Sequence, residues 1–172
     1  MDVDEGGTEG NDAPKQQQES SRKKDFFFHD RYTAHDFGET YARTKMRDCD
    51  RTVQKLIAKV RTLSPTDTNV LFNVQATIIE SRRFLKNSYV LTYQLQDSDH
   101  LRIIQTQQGV LENFVERLSF LSELQDVLVY SHTSESEHDV YQHLRMMSFY
   151  TTSVRKFMQR VQDTCNSVPS FR

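Results

Sequence analysis

From Met46 onward, apolar residues recur at steps of three and four: Met46, Cys49, Val53, Leu56, Ile57, Val60 and Leu63. That spacing paints one stripe along an α-helix. Ser64-Pro65-Thr66 interrupts it, because proline cannot continue a helix and disfavours helical dihedrals in the residue before it. Thr66 or Asp67 is then suited to cap a second helix. Its periodic positions are Val70 or Leu71, Val74, Ile78, Leu85, Tyr89 and Leu95. Asp97-Ser98-Asp99 forms the next cap-rich joint, followed by a third stripe from Leu101 and Ile104 through Leu111, Phe114, Val115, Leu118, Leu121 and Leu124 to Leu128. Ser131 to Asp139 contains no apolar residue and reads as an exposed loop or helix entry. A fourth stripe runs Val140, Leu144, Met147, Thr151, Val154, Phe157, Met158, Val161 and Cys165, and Pro169 ends it. Helices of about 30 residues would be roughly 45 Å long, and the short joints favour antiparallel neighbours.

Upstream the texture differs. Residues 1–24 are polar, with clustered Asp, Glu and Gly followed by KQQQESSRKK. Such a segment buries too little surface to offset the entropy of ordering, which predicts a disordered tail. Aromatics then crowd the chain at Phe26, Phe27, Phe28, Tyr32, Phe37 and Tyr41. On a helix Phe37 and Tyr41 share a face, whereas the Phe26–Phe28 triplet goes round the circumference and calls for a second surface. The 172 residues include only five glycines and three prolines, too few for a β-sandwich or a glycine-rich phosphate-binding fold. The expected fold is all-α: an elongated antiparallel bundle of about four long helices. A disordered tail at 1–24 precedes a helical domain at 25–168, and a short tail follows at 169–172.

Charge and reactive residues narrow the chemistry further. With 22 basic and 24 acidic residues the chain has net charge -2, which supplies no general attraction to nucleic acid or anionic membrane. The acidic start lacks the basic and apolar regions of a secretion signal, and the Asn69–Ile79 run is too short to span a bilayer. A cytoplasmic setting is expected, with the nucleus also open. Cys49 and Cys165 are too few for a thiolate zinc centre, and both sit on apolar stripes, which suggests burial. His138 and His143 are about 140° apart on a helix, and no metal-binding spacing occurs among the six histidines. Glu135 and Glu137 lie in a polar stretch with no apolar pocket to raise a carboxyl pKa. No catalytic residue, metal ligand or cofactor site is expected. Arg82, Arg83 and Lys86 form a basic patch beside Phe84 and Tyr89, read either as a binding surface or as a solvated face whose stems cover apolar surface.

Three segments carry a more specific signal. Glu80 to Leu95, ESRRFLKNSYVLTYQL, resembles the second-helix signature of the Ariadne domain, the C-terminal helical module of Ariadne-family RING-between-RING ubiquitin ligases. FFFHDRYTAH resembles that domain's aromatic entry, and QQGVLENFVERLS, Gln107 to Ser119, resembles its third-helix motif. The match covers Phe26 to Tyr130 in order. The resemblance implies a regulatory domain that folds back on the catalytic zinc domain of a RING-between-RING ligase, shields its cysteine, and is released on docking to a neddylated cullin-RING ligase. It places the inhibitory contact on Tyr41 and on Glu116, with Asn113 one turn before Glu116 on nearly the same face. The acidic neighbour that the family pairs with the aromatic is here Ala42, which implies a weaker clamp or one more reliant on Glu116.

A RING-between-RING module needs several zinc ions and a catalytic cysteine, more than two cysteines can supply. The chain alone is therefore expected to be non-catalytic, acting on such a zinc domain in cis or in trans. The alternatives are a structural helical scaffold with no ubiquitin link and a free-standing interaction module.

Overall fold

The computed structural model describes residues 13–95, 99–130 and 137–167, with side chains described within 18–95, 99–124 and 137–167. Four helices account for nearly all of them: α1 (Ala13–Lys59), α2 (Pro65–Tyr93), α3 (Asp99–Tyr130) and α4 (Glu137–Ser167). The all-α bundle read from the apolar stripes is the observed fold. The joints at 96–98 and 131–136, the first twelve residues and the 169–172 tail lie outside the described residues.

Neighbouring helices run antiparallel. Tyr93 Oη donates to Asp25 Oδ1 near the α2 C-terminus, at 2.7 Å, while Leu71 near the other end of α2 lies beside Cys49 and Thr52 of α1. Gln108 donates to Ser88 and Arg82 to Glu116, which sets α3 against α2 in the same sense. His143 Nε2 lies 2.7 Å from the Leu121 carbonyl and fixes α4 on α3. α2 is the shared element: it packs on α1, α3 and α4, whereas α1 and α3 barely touch. The result is a rhombic bundle with α1 and α4 at its far corners and an open cleft between α1 and α3, floored by α2.

The core follows the stripes closely on α2, α3 and α4. Leu85, Ile104, Leu111, Leu118 and Met147 are fully buried, and Phe114 stacks on Phe157 at 4.8 Å between centroids. Cys49 and Cys165 are buried, as their stripe positions suggested. Ile57 departs from its stripe and is partly exposed.

Two boundaries correct the sequence reading, and a third decides between its alternatives. α1 begins at Ala13, so residues 13–24, placed in the tail by composition, belong to the helix. Gln, Glu, Lys and Arg are good helix formers, and extending an anchored helix avoids the cost of nucleation. Pro14 is tolerated there because the first helical turn has no internal partner for its N–H. The cap of α2 is Ser64, not Thr66 or Asp67. Its hydroxyl accepts from the Asp67 N–H while the Asp67 carboxylate accepts from the Ser64 N–H, a reciprocal capping box with Pro65 as the first helical residue. α4 starts at Glu137, inside the stretch read as loop or helix entry and in keeping with the second of these, and its first-turn acids Glu137 and Asp139 favour that end of the helix dipole.

Ser64→Ala removes one half of the capping box and is expected to lower unfolding stability by about 1 kcal/mol. A lower urea midpoint at unchanged slope would report it; an unchanged midpoint would show that water replaces the cap without loss.

Candidate functional site

α1 carries two faces of opposite character. Its inward register runs Phe28, His35, Glu39, Ala42, Cys49, Val53 and Leu56, all buried. Two of these positions are polar: His35 is matched by partners on α2 and α3, and Glu39 by partners on α1 and α2. His35 Nε2 lies 2.7 Å from Glu112 Oε1, and Arg82 Nη1 lies 3.4 Å from His35 Nδ1. A guanidinium can only donate, so Nδ1 accepts and the ring proton is assigned to Nε2, facing the carboxylate. The imidazole also stacks on Tyr89, with centroids 5.7 Å apart and planes 9° from parallel. Arg31 Nη1 donates to the other Glu112 oxygen at 2.9 Å.

Burial alone would raise the Glu112 pKa. The His35 hydrogen bond and the Arg31 charge outweigh that and hold the carboxyl below the usual range. Burial and the Glu112 charge together push the Tyr89 phenol up.

One turn along, Glu39 receives Arg43 at 2.6 Å, Lys86 at 3.1 Å and Arg83 at 3.3 Å. Burial again pushes upward, but the hydrogen bonds from Arg43 and Lys86 prevail and lower its pKa to about 2. Lys86 also donates to Asp36 at 2.7 Å. The basic patch is divided: Arg82 is buried and Lys86 half-buried, while the Arg83 side chain stays 55% exposed, as on a solvated face. Arg82 is 7% exposed and all three cations are spent on carboxylates of α1 and α3.

The outward face of α1 bears unpaired aromatic surface. Phe26, Phe37 and Tyr41 are exposed, Phe37 to 72% and Tyr41 to 52%. The aromatic triplet divides: Phe28 is buried against Tyr89 and Tyr93, Phe27 is half-covered and packs edge-on to Phe28, and Phe26 stays outside.

Tyr41 and Glu116 line the same narrow cleft. Gly38, Tyr41, Ala42 and Lys45 of α1 form one wall, Gln75, Ile78 and Arg82 of α2 the floor, and Glu116, Ser119, Ser122 and Glu123 of α3 the other wall. Lys45 lies over the Tyr41 ring at 5.6 Å from its centroid. Glu116, 63% exposed at its side chain, accepts from Arg82 Nη1 at 2.7 Å. Asn113 is exposed on α3 but is not among the residues lining the cleft. Ala42 is 2% exposed and belongs to the buried core, unlike its exposed neighbour Tyr41.

Gly38 explains how Arg82 passes between the helices. A Cβ at position 38 would come within 2.8 Å of Arg82 Nε and 3.1 Å of its Cδ and Cζ. That nitrogen is buried and has no hydrogen-bond partner among the described residues.

The other histidines play lesser parts: His143 is buried on a backbone carbonyl, and His138 lies beside Gln142 on an exposed turn. Glu137 accepts from Thr62, while Glu135 lies outside the described residues. Among the described residues no three His, Cys, Asp or Glu side chains gather to hold a metal ion, and no helix is long and apolar enough to cross a membrane. Compared with models of known families and with curated proteins, the chain matches none.

Two outcomes follow. Glu39 has its folded pKa below the 4.5 of an unperturbed glutamate, so its stabilising contribution is present above about pH 4.5 and is lost as pH falls toward 2. Glu39→Gln is expected to flatten the acid limb of stability in that window; equal slopes for variant and parent would remove Glu39 from the acid response. Gly38→Ala should gain helix propensity of up to about 1 kcal/mol on an open face. Here it is expected to destabilise by about 1–2 kcal/mol, because the guanidinium must shift. A raised melting temperature would contradict that.

Proposed function

We propose that the chain is a non-catalytic regulatory domain of the Ariadne type, binding the catalytic zinc domain of a RING-between-RING ubiquitin ligase in cis or in trans. Its place of action on this reading is the cytoplasm, with the nucleus also open, and its release partner is a neddylated cullin-RING ligase. One observation carries the reading. Tyr41 and Glu116, far apart in sequence and selected by resemblance alone, lie on opposite walls of one open cleft with accessible side chains. An exposed aromatic facing an exposed carboxylate across a groove is a workable protein contact, since aromatic anchors dominate interface energetics. Phe37, one turn before Tyr41, extends the apolar surface along α1.

A structural scaffold without a ubiquitin link is the competing reading, and one observation favours it. The Glu116 carboxylate already serves the fold through Arg82. A partner would have to engage the remaining oxygen.

The deciding experiment adds the full chain to an Ariadne-family ligase lacking its own C-terminal domain and follows ubiquitin discharge from a charged conjugating enzyme. The wild-type chain is expected to slow discharge. Tyr41→Ala should weaken that inhibition roughly five- to tenfold, with Glu116→Gln weakening it comparably. Phe28→Leu, at a buried position away from the cleft, should inhibit as well as the wild type while it remains folded. Absence of inhibition by the wild-type chain would leave the scaffold reading in place.

A further inference from the structure

A glutamate on an exposed helix face ordinarily samples several rotamers, and ordering it on binding costs conformational entropy. Glu116 does not have that freedom. Arg82 Nη1 holds its Oε1 at 2.7 Å, and the Arg82 side chain, 9% exposed, is itself fixed on every side. Its Nη1 reaches toward His35 Nδ1 at 3.4 Å, its Nη2 donates to Ser119 Oγ at 3.4 Å, and Gly38 gives it a channel that a single methyl group would block. A planar fork gripped by three helices is a pre-organised donor, and what it grips inherits the order.

We propose that Arg82 is the positioning residue of the contact face. It pins Glu116 Oε1 and leaves Oε2, on the cleft wall across from Tyr41, as the acceptor for a hydrogen-bond donor of the partner. The affinity at Glu116 is thereby coupled to the packing of α1 on α2. Any shift at His35 or Gly38 that loosens the guanidinium also releases the carboxylate. This inference rests on the regulatory reading above and adds to it the residue that makes an exposed, isolated glutamate an effective contact in the absence of an acid at position 42.

The test uses the full chain in the same discharge assay, with thermal melting as a check that each variant is folded. Arg82→Met keeps the length and helix propensity of the side chain but removes the fork. It should weaken inhibition about tenfold, the size of one charge-assisted hydrogen bond. The double variant Arg82→Met/Glu116→Gln should be no weaker than either single change, because both remove one contact, whereas Arg82→Met combined with Tyr41→Ala should multiply. A general loosening of the fold would affect both pairs alike, so this split separates positioning from mere structure.

Arg82→Lys fills the channel and keeps the charge without the fork, and should fall between wild type and Arg82→Met. If Arg82→Met does not fold, the lysine variant decides: inhibition equal to wild type overturns the proposal. So does a folded Arg82→Met that inhibits normally, or one whose effect multiplies with Glu116→Gln. A wild-type chain that fails to inhibit removes the regulatory reading and this inference with it. Inhibition relieved by Glu116→Gln but not by Arg82→Met removes this inference alone.

Discussion

A guanidinium sealed between three helices sets the terms for one side of this bundle. Leaving such a cation unpaired would cost several kcal/mol, so its neighbours are fixed by its needs. Glu116 neutralises it from α3, and His35 from α1 and Ser119 from α3 accept from its two Nη groups, while its Nε has no partner among the described residues. The absence of a side chain at Gly38 lets it through. His35 in turn requires an acceptor at Nε2, which Glu112 supplies, and Glu112 requires a second cation, which Arg31 supplies. Each requirement crosses to another helix, so the chain of bonds defines the register of α1 against α2 and α3 as firmly as an apolar layer would.

The two sides of the molecule are consequently held by different physics. α3 and α4 meet through fully buried Leu121 and Met147 and through the Phe114–Phe157 stack, contacts indifferent to salt and pH. The middle of α1 meets α2 largely through charges: Glu39 with Arg83 and Lys86, and Asp36 with Lys86. Ion pairs of this kind contribute modest net energy against their desolvation, yet they reject alternative registers, because a one-turn slip would strand buried charges. The attachment of α1 is therefore the part of the fold most responsive to acid and ionic strength, while its C-terminal half, with Cys49, Val53 and Leu56 on the core, remains anchored.

That division also explains what the sequence discloses and what it withholds. The four helices are legible because apolar spacing of three and four reports burial directly. The stripe on α1 is legible only from Met46, since upstream the inward positions are filled by His35, Glu39 and Ala42, which a hydrophobic pattern counts as surface or neutral. Continuing the same heptad backward from Cys49 reaches Ala42, His35 and Phe28, so the register was present though its residues were polar. The matching signal on α2 was the Arg82-Arg83-Lys86 run, whose partners lie on other helices and cannot be paired from one sequence. Composition misplaced the start of α1 for a related reason: a polar segment that would not fold alone can extend a helix already anchored elsewhere. Tyr41 and Glu116 came from resemblance alone, and their position across one cleft depends on an antiparallel register that spacing does not supply.

The same geometry reshapes what the contact face can be. An acid at position 42 would sit at a buried position that also borders the cleft, where burial costs it dearly unless a cation pairs with it. With alanine there, the position is filled by a methyl group and Arg82 pairs with Glu116. What remains outward on α1 is apolar: Tyr41 with Phe37 one turn away, neither held by the core. On the proposed reading, such a face would draw its affinity from aromatic burial and its direction from a single fixed acceptor, the division of labour that favours a specific partner over a merely sticky surface.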